Sequence, residues 1–158
     1  SKEEQPEDDE TEEEEITDDK SDDGFNYDAQ KAVISKILAH KTDENGKKIF
    51  LVKYQQKSYR KCKWVSEEEL KSTRSFVYRF YIKKHQEPFT PYFDPNYTKP
   101  EKILSINKRD DETYYLIKWK DLDYNECTWE ESTEINEEFP EMIEKYNNVT
   151  FLLLKNFC

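Results

Sequence analysis

Residues 49–64 and 114–129 repeat one pattern at a spacing of 65 residues, which limits the chain to an architecture of two similar units. The two stretches read IFLVKYQQKSYRKCKW and YYLIKWKDLDYNECTW. Five of their 16 positions are identical: Leu51 and Leu116, Lys53 and Lys118, Tyr59 and Tyr124, Cys62 and Cys127, and Trp64 and Trp129. Upstream, KIL at 36–38 matches KIL at 102–104 after a one-residue gap. Two copies of one unit, each about 55–60 residues long, are the simplest interpretation.

Each copy is predicted to contain three antiparallel strands and a helix. An apolar segment is followed by a polar turn, an alternating aromatic strand, a short polar loop and Cys-x-Trp as a third strand. In the first copy the turn contains Asn45-Gly46, a strong hairpin signal. Ser66 and Glu69 form a capping box, which predicts one helix running through residues 70–84.

The second copy is predicted to end in a helix with one apolar stripe. Phe139, Met142, Ile143 and Tyr146 have the spacing i, i+3, i+4 and i+7. Between the copies, the sequence QEPFTPYFDPNYTKP has four prolines and four aromatic residues. It predicts an ordered linker without regular structure.

Charge divides the 158-residue chain into three parts. Residues 1–23 hold 14 acidic and 2 basic residues with a single aliphatic side chain, so this tail is predicted to be disordered. Residues 24–87 hold 15 basic and 7 acidic residues, whereas residues 88–158 hold 8 basic and 15 acidic residues. The formal net charge is -11. A basic half and an acidic half therefore follow an acidic tail.

Composition argues against several classes of protein. No apolar run approaches the ~18 residues that span a bilayer, so we expect no membrane partner. Three cysteines without a CxxC motif and two histidines argue against a zinc site or a disulfide scaffold. With two glycines, phosphate-binding loops are absent. We therefore expect no metal, no cofactor and no catalytic site in this chain, which lacks an initiator methionine and is expected to be a fragment.

The repeated motif resembles the chromodomain family. The pattern is a strand such as FLVKY or YLIKW, a short loop, then Cys-x-Trp with an acidic helix start after it. Two copies in tandem are similar to the double chromodomain of the chromodomain-helicase-DNA-binding remodellers, and FDPNYTKPEKIL resembles the start of the second chromodomain in the Kismet-like branch. The resemblance covers about residues 27–147. It implies an α+β fold of two chromodomain modules, each a curved three-stranded antiparallel sheet closed by a C-terminal helix.

The predicted domain boundaries follow from the repeat and the resemblance. They are a disordered acidic tail (1–23), a first chromodomain (27–86), a linker (87–97), a second chromodomain (98–148) and an apolar C-terminal extension (149–158).

The resemblance implies histone-tail binding by strand addition, with an aromatic cage around a methylated lysine. The family's cage positions carry Tyr54 and Trp119 on the strands, and Tyr27 and Tyr97 are the nearest aromatic residues before each first strand. Three residues after Tyr54 stands Lys57, a cation that would repel the ligand. Neither copy therefore has a complete cage by these matches, and two alternatives stay open: methyl-lysine selectivity, or sheet aromatics that pack against the other module.

Charged residues suggest two further contacts. Acidic residues after Trp119 are candidates for contacting a basic histone tail: Asp121, Asp123 and Glu126. Basic residues of the first half are candidates for contacting DNA phosphates: Lys57, Arg60, Lys61, Lys63, Arg74, Arg79, Lys83 and Lys84. The alternative is a solvated helix face that is attracted to the acidic module or tail.

The other repeated residues have structural interpretations. Trp64 and Trp129 are predicted to lie in the core, and Cys62 and Cys127 to be buried without reactivity. The tyrosines of the repeat, Tyr59 and Tyr124, are predicted to pack near the turn.

The sequence thus predicts a chromatin-binding module of a nuclear protein. Its expected partners are a histone tail in the nucleosome, DNA, and an adjoining ATPase domain if the parent protein is an ATP-dependent remodeller. The competing hypothesis is a DNA-contacting regulatory wedge with no methyl-lysine selectivity.

Overall fold

The computed structural model describes residues 24–84 and 91–156, and the predicted acidic tail lies outside them. The first copy, called here the first module, forms a three-stranded antiparallel sheet in the order β1-β2-β3 followed by two helices. Its elements are β1 (Ile34–Thr42), β2 (Lys48–Tyr54), β3 (Lys63–Ser66), α1 (Glu67–Thr73) and α2 (Ser75–Lys84).

The second module repeats this arrangement with a sheet in the order β4-β5-β6. Its elements are β4 (Pro100–Arg109), β5 (Glu112–Trp119), β6 (Thr128–Glu131), α3 (Ser132–Glu138) and α4 (Glu141–Asn156). Before it, the linker forms a 3-10 turn at Pro95–Thr98. The predicted α+β class with two similar modules is confirmed.

The first strand of each sheet carries two register shifts at matching places. In β1 they fall between Ile34 and Lys36 and between Ile37 and Ala39. In β4 the shifts fall at the corresponding steps, after Pro100 and after Ile103. Bulges bend a strand and increase its twist. The repeat thus specifies the same bends in both modules.

The two hairpins use different turn residues for the same purpose. Gly46 has φ 77°, and the Asp43 carboxylate accepts hydrogen bonds from the backbone of Asn45 and Lys47, both at 2.9 Å. The predicted Asn-Gly turn is therefore confirmed. In the second module, Asp110 and Asp111 both have positive φ, as a two-residue hairpin turn requires.

The prediction of one helix through residues 70–84 is wrong, because the helix breaks at Arg74. The Ser66 hydroxyl caps α1 as predicted, accepting from the Glu69 backbone at 3.1 Å. At the other end of α1, the hydroxyls of Ser72 and Thr73 both donate to the Glu69 carbonyl. Such bonds compete with helical pairing. Arg74, at φ -140° and ψ 53°, then redirects the chain so that α2 packs against β1.

The second module breaks its helix in the same conformation. Phe139 has φ -134° and ψ 60°, close to the values of Arg74. Pro140 follows, and a proline disfavours the helical conformation of the residue before it. Phe139 therefore lies between two helices, not within the single predicted stripe. Its side chain nevertheless packs on the second core with Ile143 and Tyr146, around the buried Met142.

Each module has its own apolar core between sheet and helices. The first core holds eight buried residues: Ile34, Ile37, Phe50, Val52, Tyr54, Val65, Leu70 and Tyr81. The second holds six: Ile103, Tyr115, Ile117, Trp119, Ile135 and Met142. Three residues of α2 pack against the first core: Val77, Tyr78 and Ile82. The apolar side of α4 packs against the second core.

The prediction that Trp64 lies in the core is wrong. It pairs across the strands with Leu51, whereas its neighbour Val65 faces the core, and side chains alternate along a strand. Trp64 is half-buried on the outer face of the sheet, where Tyr92 of the linker meets its ring edge-on at 5.4 Å. Lys41 Nζ lies 4.3 Å from the ring centroid.

The equivalent Trp129 is buried, with 7% of its surface exposed, but it also lies outside the second core cluster. The two repeated tyrosines are predicted to pack near the turn. This prediction is confirmed for Tyr59, which is 5% exposed, and is wrong for Tyr124, which is 60% exposed. Equal positions of the repeat therefore have unequal surroundings.

The end of α4 is an exposed apolar surface. Residues 149–156 continue this helix, and five of their apolar side chains are more than half exposed: Val149, Phe151, Leu152, Leu153 and Leu154. Within the described residues no helix is long and apolar enough to span a membrane. Contiguous exposed apolar surface of this kind promotes association.

We predict that Leu154→Glu reduces concentration-dependent self-association of the chain, because it places a charge in this apolar surface. Sedimentation velocity over a range of concentrations measures the effect. Asn148→Glu, on an exposed polar position of the same helix, is the matched control. Equal association of both variants and the parent would contradict the prediction.

Candidate functional site

Residues 24–33, called here the strap segment, cross from the first module to the sheet of the second. The Phe25 ring meets the rings of Tyr114 and Trp129 edge-on, each at 5.1 Å between centroids. The Trp129 indole donates to the Gly24 carbonyl at 3.2 Å. The Tyr27 ring packs on Tyr114 at 4.7 Å. An aromatic cluster therefore joins the start of one module to the outer face of the other.

Tyr27 also makes a polar contact with the second module. Its hydroxyl donates to Glu131 Oε1 at 2.6 Å. Burial raises the pKa of Tyr27, and the bond to the Glu131 carboxylate raises it further. The phenol therefore stays protonated and keeps its donor role at every physiological pH.

A cavity of about 220 Å³ lies where the strap segment, the end of β2 and the edge of β6 meet. We call it the inter-module cavity. Its aromatic lining comes from Tyr27, Tyr54 and Trp129, and its acidic lining from Asp28 and Glu130. Small-molecule pockets usually measure about 300–1,000 Å³. This cavity suits one side chain of a partner better than a whole small ligand.

Four lysines also line the cavity: Lys31, Lys57, Lys61 and Lys63. Two of them are held by other groups. Lys57 Nζ donates to the Asp28 carbonyl of the strap segment at 2.8 Å. Lys61 Nζ donates to both carboxylate oxygens of Glu134 on α3 at 3.1 Å. These contacts hold Lys61 and also Lys57, the cation that the sequence predicts would repel a cationic ligand.

Ion pairs connect the basic turn of the first module to the acidic helix α3. Arg60 pairs with Glu138, and Lys61 pairs with Glu134. Arg60 also donates to the Thr98 carbonyl of the linker at 3.3 Å, and its guanidinium lies 5.7 Å from the Phe139 ring centroid. Opposite charges in the two halves of the chain thus form ion pairs between the two modules.

Glu130 is a buried carboxylate at the cavity, with 5% of its surface exposed. Burial raises its pKa, and a hydrogen bond from the Thr128 hydroxyl and the charge of Lys61 oppose this rise. A buried carboxylate is unfavourable unless it is paired. A cation in the cavity would therefore stabilise its charged form.

Of the four predicted cage residues, the structure brings two together. Tyr27 and Tyr54 both line the inter-module cavity. Tyr97 instead stacks on Tyr59 at 5.0 Å. Trp119 is 1% exposed in the second core, and its indole donates to the Thr128 hydroxyl at 2.9 Å. The strand aromatics are thus equivalent in sequence, but only the one in the first module borders a cavity.

The three predicted acidic contacts lie on the turn after β5, outside the cavity lining. Asp121 accepts a hydrogen bond from the Asn96 side chain of the linker at 2.7 Å. Asp123 begins the 3-10 turn at Tyr124–Glu126. Glu126 is half-buried and lies close enough to Lys36 and Lys53 of the first module to affect both electrostatically.

The predicted DNA contacts fall into three groups. Lys57, Arg60 and Lys61 engage the strap segment, the linker and α3, as described above. Arg74 is half-buried at the helix break, and its Nε is buried without a hydrogen-bond partner. The remaining four are exposed: Lys63 on β3, and Arg79, Lys83 and Lys84 on α2.

The two repeated cysteines are half-buried. Burial raises the pKa of Cys62 to about 11 and raises that of Cys127. A thiol with a raised pKa is a poor nucleophile at neutral pH. The predicted structural role of both residues agrees with these surroundings.

Sequence reasoning missed the contribution of Trp129 and Glu130 to the cavity. The repeat predicts a core position for Trp129, and no sequence pattern distinguishes Glu130 from the neighbouring acidic residues. The aromatic residues of the strap segment at 25 and 27 were the available signal. Their partners lie more than 100 residues away, so no local pattern indicates them.

The geometry and the repeat define a tandem chromodomain. The sequence model of the Chromo (CHRromatin Organisation MOdifier) domain matches residues 32–83 and 98–149, so the chain belongs to the chromodomain family. The resemblance inferred from the repeated motif is confirmed.

Similar proteins are chromodomain-helicase-DNA-binding proteins and a related factor. The chain is 34% identical over 139 residues to "Chromodomain-helicase-DNA-binding protein 7" of Gallus gallus, covering 75% of this chain and 5% of the relative. It is 32% identical over 143 residues to "Chromodomain-helicase-DNA-binding protein 6" of Homo sapiens, covering 76% and 5%. It is 31% identical over 113 residues to "CHD3-type chromatin-remodeling factor PICKLE" of Arabidopsis thaliana, covering 65% and 8%. The chain thus corresponds to a small part of each relative.

We predict that Arg60 and Glu138 stabilise the module interface by a modest, salt-sensitive coupling. Both side chains are partly exposed, so a double-mutant cycle with Arg60→Ala and Glu138→Ala should give about 0.2–1 kcal/mol, falling at high salt. Urea unfolding at low and high ionic strength measures it. A cycle of Lys71→Ala with Glu138→Ala, which are not paired, is the control. Equal coupling in the two cycles would refute a specific contact.

We also predict that Glu130→Gln stabilises the chain at pH 7. Because burial raises the folded-state pKa, the folded chain binds the Glu130 proton more tightly than the unfolded chain does. The cost of the buried charge therefore grows as pH rises from the unfolded pKa, about 4.3, through the raised folded pKa. Denaturant unfolding should show an advantage of Glu130→Gln at pH 7 that shrinks toward pH 4.5. A less stable variant at pH 7 would contradict this account.

Proposed function

We propose that this tandem chromodomain binds a histone tail and receives a lysine side chain of that tail in the inter-module cavity. The observation that carries the proposal is the lining of this cavity. Tyr27, Tyr54 and Trp129, drawn from both modules, line part of it together with the buried carboxylate of Glu130.

This lining suits an alkylated ammonium group. Aromatic ring faces attract cations, and the attraction grows when the cation is shielded from water. A methylated lysine has a more apolar head than an unmodified one, so it loses less on entering a cavity walled by rings. Glu130 adds a negative charge that the cation would compensate. Methyl-lysine selectivity therefore forms part of the proposal.

The sheet edges beside the cavity offer backbone pairing for the rest of the tail. In the sheet orders β1-β2-β3 and β4-β5-β6, both β3 and β6 are edge strands. Lys63 of β3 and Trp129 of β6 both line the cavity. An extended peptide that enters between these edges can add as a strand to either sheet.

The similar proteins suggest the wider role. Their names describe chromodomain-helicase-DNA-binding proteins and a chromatin-remodeling factor, and the chain matches about 5–8% of their length. We propose that the full-length protein acts in the nucleus as an ATP-dependent remodeller, with this tandem chromodomain as a regulatory portion that contacts the nucleosome.

We predict that the chain prefers a lysine-trimethylated histone-tail peptide over the unmodified peptide. Tyr27→Leu should weaken binding of the trimethylated peptide by about 3- to 30-fold, because it removes one ring from the cavity wall. Calorimetric titration of both peptides at matched salt measures the preference.

Two further variants make the test specific. Tyr54→Leu keeps an apolar side chain in the first core and should reduce the same preference, provided that circular dichroism confirms folding. Phe80→Ala removes an exposed ring on α2, outside the cavity, and should leave binding unchanged. Equal affinity for the two peptides would reject methyl-lysine recognition, and loss of binding in Phe80→Ala would reject the cavity as its location.

A second candidate function is DNA contact through α2. This helix carries Arg79, Lys83 and Lys84 on its exposed surface, interleaved with the exposed rings of Phe76 and Phe80. Cations contact phosphates, and exposed rings can stack on bases. These three cations are exposed, whereas Arg60 and Lys61 are already in ion pairs with α3.

We predict that deleting residues 1–23 strengthens DNA binding, because their 14 carboxylates compete for basic surface. Adding Arg79→Gln and Lys83→Gln to the deletion should weaken binding again and reduce the salt slope by about 2. Fluorescence anisotropy with duplex DNA over a salt series measures both effects. Unchanged affinity after the deletion would count against tail screening, and an unchanged slope in the variant would exclude α2.

A further inference from the structure

The two modules carry the same cation-aromatic cluster at the turn after their second strand. In the first module, Lys36 Nζ and Lys53 Nζ lie 5.5 and 5.4 Å from the Tyr59 ring centroid. In the second, Lys102 Nζ and Lys118 Nζ lie 5.5 and 5.3 Å from the Tyr124 ring centroid. The agreement makes the two clusters copies of one local structure.

Both clusters are fixed in place by the same anchor. Lys53 Nζ donates to the Tyr54 carbonyl at 2.7 Å, and Lys118 Nζ donates to the Trp119 carbonyl at 2.8 Å. Both lysines are buried, at 6% and 7% exposure. A buried ammonium held by a backbone carbonyl has little freedom, so each tyrosine ring meets a rigid support.

The first cluster is covered by the linker. Phe93 and Tyr97, four residues apart, both pack on the Tyr59 ring at 5.0 Å between centroids. Asp94 holds the turn between them by accepting from the Asn96 backbone at 2.9 Å. Tyr59 is 5% exposed as a result. In the first module, therefore, the two rings of Phe93 and Tyr97 are the groups that pack on this cluster.

The second cluster has no such cover. Tyr124 is 60% exposed, and no aromatic ring within residues 24–84 and 91–156 packs on it. The linker rings Phe93 and Tyr97 cannot cover both clusters, because they already pack on Tyr59. The Asn96 side chain between them is also hydrogen-bonded to Asp121. An occupant of the second cluster would therefore come from outside residues 24–84 and 91–156.

We propose that the surface around Tyr124 is a docking site for a partner protein segment with two aromatic residues four positions apart, separated by an Asp-Pro turn. The rings would pack on Tyr124 as Phe93 and Tyr97 pack on Tyr59. In the first module Arg60, next to Tyr59, donates to the Thr98 carbonyl of the linker. Asn125 occupies the equivalent position beside Tyr124, and its amide can donate to a backbone carbonyl of the partner segment.

This site is separate from the inter-module cavity. Neither Tyr124 nor its two lysines lines that cavity. A partner could therefore dock at Tyr124 whether or not a histone tail occupies the cavity, and a negative result at one site leaves the other untouched.

The test uses the chain's own linker as the probe. A fluorescein-labelled peptide of residues 91–99, PYFDPNYTK, is titrated with the 158-residue chain and followed by fluorescence anisotropy. We expect saturable binding with a Kd on the order of 0.1–1 mM, as for a small contact. Tyr124→Ala should weaken it by about 3- to 10-fold, since each aromatic pair contributes modestly. Tyr124→Phe keeps the ring and should retain binding.

Control probes and variants separate the site from general stickiness. A peptide with alanine in place of both aromatic residues at 93 and 97 should not bind. Phe80→Ala, which removes another exposed ring, should bind the parent peptide normally. The absence of saturable binding would overturn the proposal. Binding that Tyr124→Ala leaves unchanged would also overturn it, because the peptide would then be replacing the linker at Tyr59.

Discussion

The packing of the strap segment on the second module is the contact on which the rest of the site depends. Phe25 meets Tyr114 and Trp129, and Tyr27 bonds to Glu131, so residues before the first sheet form one wall shared by both modules. Without this contact, the cavity beside Tyr54 would lose the side that the strap segment forms. The ion pairs of Arg60 and Lys61 with α3 hold the opposite side of the interface. Apolar packing and charge thus act on the two sides of one cavity.

Sequence patterns predicted what is local and repeated. The two sheets, the Asn45-Gly46 turn and the cap at Ser66 all follow from short-range rules, and all are present. The helix breaks were missed because apolar periodicity continues across Arg74 and Phe139. At the first break, serine and threonine hydroxyls compete for a helical carbonyl, and this competition leaves no signal in hydrophobic spacing.

The site was only partly predictable for a related reason. A repeat identifies equivalent positions, but each environment depends on what else reaches that position. Tyr54 and Trp119 are equivalent, yet the first borders the cavity and the second is enclosed by its own core. Trp64 and Trp129 are likewise equivalent, yet one lies under Tyr92 of the linker and the other under Phe25. The strap segment and linker, which are not repeated, create these differences.

The sequence separation of the strap contacts also bears on how the chain folds. The bonds of Tyr27 to Glu131 and of Trp129 to Gly24 join residues 104 and 105 positions apart. Closing so large a loop has a considerable entropic cost, whereas each sheet forms from neighbouring strands. The modules can therefore assemble one after the other during synthesis, while the strap docks only after β6 has emerged from the ribosome. The cavity, which is lined by residues of both modules, therefore forms only after both sheets are in place.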